Sequence, residues 1–164
     1  MATHVFRVAV LAWLVASFPT DAATTHDFTS IYQAINLKRD TVPEPVEPVV
    51  IAVVVDAFQL QHSSLQGFRA VLPDELAGNG TDDNGNGVAD DRSGWDVADG
   101  DTDVAAVPSD VELYHGTHVA SILTAVARAA WGERASRFVK ILPVKSIPDA
   151  ATSTYLYNAW DGPD

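Results

Sequence analysis

Apolar residues are grouped along the chain, and their spacing differs from group to group. Residues 49–58 (VVIAVVVDAF) form a β-branched run without polar alternation, which is typical of a strand covered on both faces in a parallel sheet. Residues 115–131 are rich in alanine and carry larger apolar side chains three and four positions apart, which predicts a helix with one apolar face. Residues 138–147 (FVKILPVKSI) have the composition of another strand. The pattern therefore predicts an α/β fold.

An earlier apolar run, residues 8–18 (VAVLAWLVASF), follows Arg7 and precedes small residues near position 22. These features predict a signal peptide over residues 1–22 and a secreted or periplasmic mature chain. The run is shorter than the roughly 20 apolar residues that a membrane span needs, so we expect no membrane association after its removal. A buried N-terminal helix is the alternative interpretation.

Residues 23–48 predict a linker between the signal peptide and the folded domain. The segment is polar and weakly patterned, and it ends in TVPEPVEP (41–48), whose prolines fit neither a helix interior nor a central strand. We therefore expect the domain itself to occupy residues 49–164.

Composition narrows the classes of function. The 164 residues are 47% hydrophobic, enough for the core of one domain, and the formal charge of -12 argues against nucleic acid and anionic membranes as partners. The chain has no cysteine, which excludes disulfides, thiolate zinc sites and cysteine nucleophiles. Residues 74–112 hold twelve of the 22 acidic residues and one of the ten basic residues, so the negative charge is concentrated in one segment.

That acidic segment contains DDNGNGVADD (82–91), in which oxygen-bearing side chains alternate before a glycine. Such spacing lets side chains converge on a hard cation, so we predict calcium as a cofactor. The candidate ligands are Asp82, Asn84, Asn86, Asp90 and Asp91. The loop is not an EF-hand, because its twelfth position is Ser93 instead of glutamate. A solvated acidic turn is the alternative.

Two residues are candidates for acid–base chemistry. Asp56 ends the predicted strand, where a parallel sheet places its functional residues; alternatively it is a helix-capping or turn aspartate. His115 begins the predicted helix, whose positive dipole end disfavours a protonated imidazole and so favours a neutral base. A zinc site is disfavoured because HGTH (115–118) lacks both the spacing and the glutamate of HExxH. We expect His118 to have a structural role.

Together these segments resemble the front part of the catalytic domain of the subtilisin-like serine proteases. The resemblance is carried by the strand ending in Asp56, by DDNGNGVADD followed by GWD, by HGTHVASI and by FVKILPVKSI, in the order found in that family. It implies a partial doubly wound parallel sheet of subtilisin type, truncated after the helix and strand that follow the histidine. It also implies a serine-type endopeptidase in which Asp56 orients His115, and His115 is the general base for a serine nucleophile.

The sequence departs from the family pattern at several positions. Ala57 and Phe58 follow the aspartate in place of a small hydroxyl residue and a glycine, and Tyr114 and Ser121 stand where glycine is usual. None of the ten serines lies in a GTS or GxSxG setting, and the asparagine of the oxyanion hole is also missing. We therefore expect the chain to be inactive alone, and to act on a polypeptide substrate only if a second chain or segment supplies the serine. The alternative is a non-catalytic secreted module that binds calcium or another protein.

Overall fold

The chain folds around a small parallel sheet with one long helix against it. The computed structural model describes residues 29–39, 41–105 and 115–151. In chain order the elements within these ranges are helix α1 (Thr29–Ala34), strand β1 (Val49–Val55), a 3-10 helix (Ser63–Leu65), strand β2 (Trp95–Asp96), helix α2 (His115–Trp131), a 3-10 helix (Gly132–Arg134), helix α3 (Ala135–Phe138) and strand β3 (Val139–Lys145). None of the helices in these ranges has the length and apolarity required to cross a membrane. The predicted signal peptide and Tyr114 lie outside the described residues.

The sheet has the strand order β1-β3-β2, and both neighbouring pairs are parallel. β1 pairs with β3 along its whole length, from Val49 opposite Val139 to Val55 opposite Lys145. The two residues of β2 pair with the last two residues of β3. The predictions of an α/β fold, of strands within residues 49–58 and 138–147, and of a helix over 115–131 are confirmed.

Pro143 lies in the middle strand, although proline cannot donate a hydrogen bond to a neighbouring strand. On the side of β3 away from β1, Ile141 exchanges hydrogen bonds with residues 68–70, and the Lys145 carbonyl accepts one from Val97 N–H. The backbone nitrogen of Pro143 points to the same side of β3, because residues two positions apart in a strand direct their backbone groups to the same neighbour. Its missing donor therefore falls where the ladder is interrupted between residues 68–70 and β2.

The core lies between the sheet and α2. It contains Val53 of β1, Ile141 of β3, Ala120 and Ala127 of α2, and Phe58 and Phe68 from the connecting segments, among others. These positions of α2 recur at helical spacing, so its alanines allow the helix to approach the sheet closely.

The face of β1 that points away from α2 is not covered by the described residues. Val54 is 60% exposed, and among the described residues no strand pairs with the outer edge of β1. The expectation of a strand covered on both faces is therefore met on one face only. An apolar strand with an open edge can pair with a further strand.

The predicted linker packs on the C-terminal end of α2 where it is described. Trp131 Nε1 donates a hydrogen bond to the Val42 carbonyl at 3.1 Å, and Arg134 forms an ion pair with Glu44. The linker also contains α1, which the polar pattern of residues 23–48 does not predict. These contacts attach the described part of the segment to the helical side of the domain, and none of its residues joins the sheet.

Candidate active site

Asp56 follows β1 directly, and its carboxylate reaches the first turn of α2. The residue is only 8% exposed. Its Oδ1 accepts hydrogen bonds from the backbone N–H groups of Ala57 and Gly116, both at 2.7 Å, and its Oδ2 accepts one from His115 N–H at 3.0 Å. The carboxylate thus satisfies backbone donors that the start of a helix leaves unpaired, and its charge lies at the positive end of the helix dipole. The helix-cap interpretation of Asp56 is confirmed, although the capped helix begins 59 residues later.

Gly116 permits this close approach. A Cβ atom at this position would lie 2.4 Å from the Ala57 carbonyl oxygen and 2.6 Å from a methyl group of Val55, both shorter than real Cβ contacts. Because the nearest obstacle is backbone, a side chain here would push the first turn of α2 away from β1. Glycine therefore sets the distance between Asp56 and the start of the helix.

His115 is the first residue of α2 and is exposed to solvent. The structure brings it together with Asp56: the backbone of the histidine is anchored on a buried carboxylate, while its imidazole is on an accessible residue. General base catalysis uses a carboxylate that orients an imidazole and stabilises its protonated form. Asp56 contacts the backbone N–H of His115, and a contact between its carboxylate and the imidazole ring stays a prediction.

Hydroxyl groups connect α2 to the segment that follows Asp56. Thr117 Oγ1 accepts a hydrogen bond from Gln59 N–H at 2.7 Å. One turn later, Ser121 Oγ donates to the Thr117 carbonyl at 2.7 Å and lies 2.5 Å from Ser64 Oγ. These serines have hydrogen-bonding partners that hold the loop against the helix, which gives both hydroxyls a structural role.

His62 is a candidate that the sequence analysis missed. Its Nδ1 lies 2.6 Å from Ser64 Oγ and also accepts a hydrogen bond from Ser64 N–H at 3.3 Å, which caps the short 3-10 helix. A histidine two residues before a serine at a turn was the available signal. The pair resembles a base and a hydroxyl nucleophile, so an activity test has to separate it from Asp56 and His115.

In the acidic loop, two of the predicted calcium ligands bind backbone N–H groups. Asp82 accepts hydrogen bonds from residues 85–87, and Asp90 accepts them from Asn79 and Gly80. Glu75, which is fully buried, accepts from Asn84 N–H and Asp90 N–H and so organises the loop from within. The sequence analysis did not select Glu75.

The other three predicted ligands meet each other. Asn84 Nδ2 and Asn86 Nδ2 donate to the two carboxylate oxygens of Asp91, at 3.5 Å and 2.8 Å. Amide and carboxylate oxygens are suitable ligands for calcium. Here the amide oxygens of Asn84 and Asn86 accept hydrogen bonds from Asn86 N–H and Val88 N–H, so a shared cation would compete with these contacts. Asp91, Asn84 and Asn86 are therefore close enough to share a cation, whereas Asp82 and Asp90 accept hydrogen bonds from backbone N–H groups instead. The calcium site stays a prediction.

A different group of carboxylates converges near the end of β3. Oxygens of Asp96, Asp99 and Asp149 lie within 4.8 Å of one another, but the Lys145 ammonium lies among them. It contacts Asp96 Oδ2 at 2.5 Å and Asp99 Oδ2 at 3.7 Å and also binds Asp149. Burial lowers the pKa of Lys145, but hydrogen bonds to Asp149 and Asp96 and their charges outweigh it, so its pKa is raised above the ordinary value. The lysine thus provides the positive charge that a metal ion would provide.

Comparison with known proteins does not identify a family for this chain. A scan against known protein-family models found no match for this chain, and a search of curated proteins found none either. The evidence on function is thus the geometry of Asp56 and His115 and the motifs that surround them.

Proposed function

We propose that this chain carries the acid–base pair of a serine-type endopeptidase of the subtilisin kind. The observation that carries the proposal is the buried Asp56 carboxylate, which accepts hydrogen bonds from His115 N–H and Gly116 N–H at the carboxyl end of a parallel strand. The proposal is supported by the strand-helix-strand order and by the edge of β1 with which no described strand pairs, since further strands of a partial doubly wound sheet could add there.

In this proposal each residue has a defined task in proton transfer. His115 accepts the proton of a serine hydroxyl as the serine attacks a peptide carbonyl, and later gives it to the leaving amine. Asp56 orients the imidazole and stabilises the imidazolium, and its own position is fixed by three backbone N–H groups. The serine would come from a further segment or a second chain. The substrate is a polypeptide, and the predicted signal peptide places the reaction outside the cytoplasm.

Hydrolysis of an activated ester tests the pair in the full chain, because imidazoles attack p-nitrophenyl acetate without a serine. We expect His115→Ala to remove most of the protein-catalysed rate, since Asp56 makes this imidazole the more reactive one. His118→Ala is the matched control, because it removes an exposed imidazole from the same helix. Equal losses for the two variants would contradict the proposal.

The same assay separates the proposed pair from His62 and Ser64. Ser64→Ala removes the only hydroxyl that hydrogen bonds to His62 among the described residues but leaves Asp56 and His115 intact. We expect the rate to stay within about twofold of the unmodified chain. A loss as large as that of His115→Ala would assign the chemistry to the His62–Ser64 pair instead.

We propose a non-catalytic calcium-binding module as the second candidate function. It is favoured by the meeting of Asn84, Asn86 and Asp91 in a loop rich in carboxylates. Calcium would neutralise part of the repulsion among these acids and stiffen the loop. Calcium binding without any histidine-dependent ester hydrolysis would support this candidate over the first.

A further inference from the structure

A cavity of about 260 Å³ lies beside the interruption in the hydrogen-bond ladder of β3. Arg69 lines it from the segment that pairs with the start of β3, and Gly94 lines it from the residue before β2. A Cβ atom on Gly94 would lie 2.6 Å from the Pro143 carbonyl oxygen, so the backbone is pressed against β3 at this point. Asp56 and His115 do not line the cavity, which is therefore separate from the candidate active site.

One nitrogen of the half-buried Arg69 side chain lacks a hydrogen-bond acceptor among the described residues. Its Nε is buried, and no described residue accepts a hydrogen bond from it. A buried donor without an acceptor is costly, and the cost is larger for a charged group. Because Nε itself is inaccessible, an anion in the cavity that Arg69 lines would act through the charge of the guanidinium and through its terminal nitrogens.

Further donors line the same cavity. Arg92 is held in place because one terminal nitrogen donates to the Glu75 carbonyl at 2.6 Å. The hydroxyl residues Ser93 and Thr102 also line the cavity and can donate to an oxygen atom. Four residues with donor groups thus line one cavity, which is suited to an anion that accepts through more than one oxygen.

The local charge is positive within a segment that is otherwise strongly negative. Among the described residues that line the cavity, Asp90 is the one acid, against two arginines, and its oxygens accept hydrogen bonds from Asn79 N–H and Gly80 N–H. The described lining therefore has two basic residues and one acidic residue, whose carboxylate accepts hydrogen bonds from backbone donors. This is the reverse of the charge balance of residues 74–112 as a whole.

We propose that this cavity binds a small oxyanion between Arg69 and Arg92. The forked N–H groups of guanidinium match the oxygens of a carboxylate or a phosphate, and such charge-assisted hydrogen bonds are stronger than neutral ones. The volume is below that of drug-sized ligand sites, so the ligand is an ion of a few heavy atoms. Inorganic phosphate and a small carboxylate share this chemistry.

The test is a titration of the full chain with anions, in which the NMR signals of the arginine Nε–H groups are monitored. Sodium phosphate and sodium acetate are added in separate experiments, with sodium chloride holding the ionic strength constant. The Arg69 signal is assigned by its absence in Arg69→Gln. We expect it to shift saturably with at least one anion, at a Kd on the order of millimolar because so small a ligand makes few contacts. The exposed Arg137 is the internal control and should show no saturable shift.

The variants give a second readout by anion-dependent thermal stabilisation. Arg69→Gln should weaken anion binding by about tenfold or more, Arg69→Lys should weaken it less, and Arg137→Gln should leave it unchanged. Saturation by phosphate alone or by acetate alone supports the site and identifies its ligand class. Shifts that never saturate, shifts of equal size at Arg137, or unchanged affinity in Arg69→Gln would overturn the proposal. If Arg69→Gln does not fold, the titration of the unmodified chain and of Arg69→Lys decides.

Discussion

The Lys145 side chain forms ion pairs with three carboxylates near the end of β3. Its ammonium is fully buried and binds Asp96, which is also fully buried, together with the partly exposed Asp99 and Asp149. Carboxylates that come together at the end of a strand require a positive charge, and here a lysine of the same chain provides it. The lysine also joins β2 to the segment after β3, because its partners lie on both.

Replacing Lys145 by methionine should destabilise the protein by about 3 kcal/mol, since it leaves a buried carboxylate without its partner. Lys140→Met on the same strand is the control. Among the described residues, the Lys140 Nζ donates only to the exposed Gly67 carbonyl, and we expect a loss under about 1 kcal/mol. Urea unfolding measures both. Equal costs for the two variants would show that the buried cluster contributes little.

The pH dependence of this difference follows from the raised pKa of Lys145. A group whose pKa is higher in the folded state stabilises the fold fully below its unfolded-state value, which for lysine is about 10.4. The contribution is lost as the pH rises through the folded-state pKa. The stability gap between the unmodified chain and Lys145→Met should therefore be constant near neutral pH and narrow only above about pH 10.4. A gap that narrows below about pH 9 would contradict this assignment.

At the scale of elements, the contact between the end of β1 and the first turn of α2 builds the candidate site. Asp56 caps the helix from the strand, and Gly116 leaves the space for the two elements to meet. The capping contact is therefore both a stability element and the means by which His115 reaches the carboxylate. Structure and proposed chemistry depend on the same hydrogen bonds.

Gly116→Ala tests this contact because two effects of opposite sign compete. In an unobstructed helix alanine is better than glycine by about 1 kcal/mol, so the variant would be more stable. Here the added Cβ meets the Ala57 carbonyl, and we expect a loss of about 1 to 3 kcal/mol instead. Urea unfolding gives the sign, and the ester assay should show a rate reduced toward that of His115→Ala. A stabilised variant with unchanged ester hydrolysis would contradict the proposed role of Gly116.

At the scale of the whole molecule, the negative charge is concentrated in residues 74–112, while the core and α2 carry little of it. In the described part of that segment, acids are held by backbone N–H groups, by asparagine amides and by Lys145. Protein groups alone thus satisfy many of the carboxylates, and a cation would add to an arrangement that already has structure.

We expect calcium to raise the thermal unfolding temperature of the full chain, and a chelator to reverse the rise, because a ligand that binds only the folded state stabilises it. Asp91→Asn should reduce the effect strongly, since Asn84 and Asn86 both meet at Asp91. Asp99→Asn is the control for the carboxylate group around Lys145 and should retain the response. A calcium response lost in Asp99→Asn and kept in Asp91→Asn would show that the ion binds at the carboxylates around Lys145, which would contradict the predicted site in residues 82–91.

The sequence predicts the main elements well because their signals are local. The β-branched run of β1 and the helical spacing of α2 need no knowledge of distant residues, and the position of Asp56 at a strand end follows from the same run. The partners of Lys145 could not be predicted: its ion pair with Asp96 spans 49 residues, and nothing local distinguishes Asp96 from the other acids. The capping of α2 by a residue 59 positions away is likewise a tertiary contact.

The most direct test of the central claim, that Asp56 and His115 act as a pair, is the imidazole N–H proton in a one-dimensional NMR spectrum of the full chain. A ring proton shared with a buried carboxylate resonates well downfield of the backbone amides. We expect such a signal, which disappears in Asp56→Asn and in His115→Ala and persists in His118→Ala. A spectrum without the signal, or a signal that survives Asp56→Asn, would contradict the pairing and with it the proposed acid–base function.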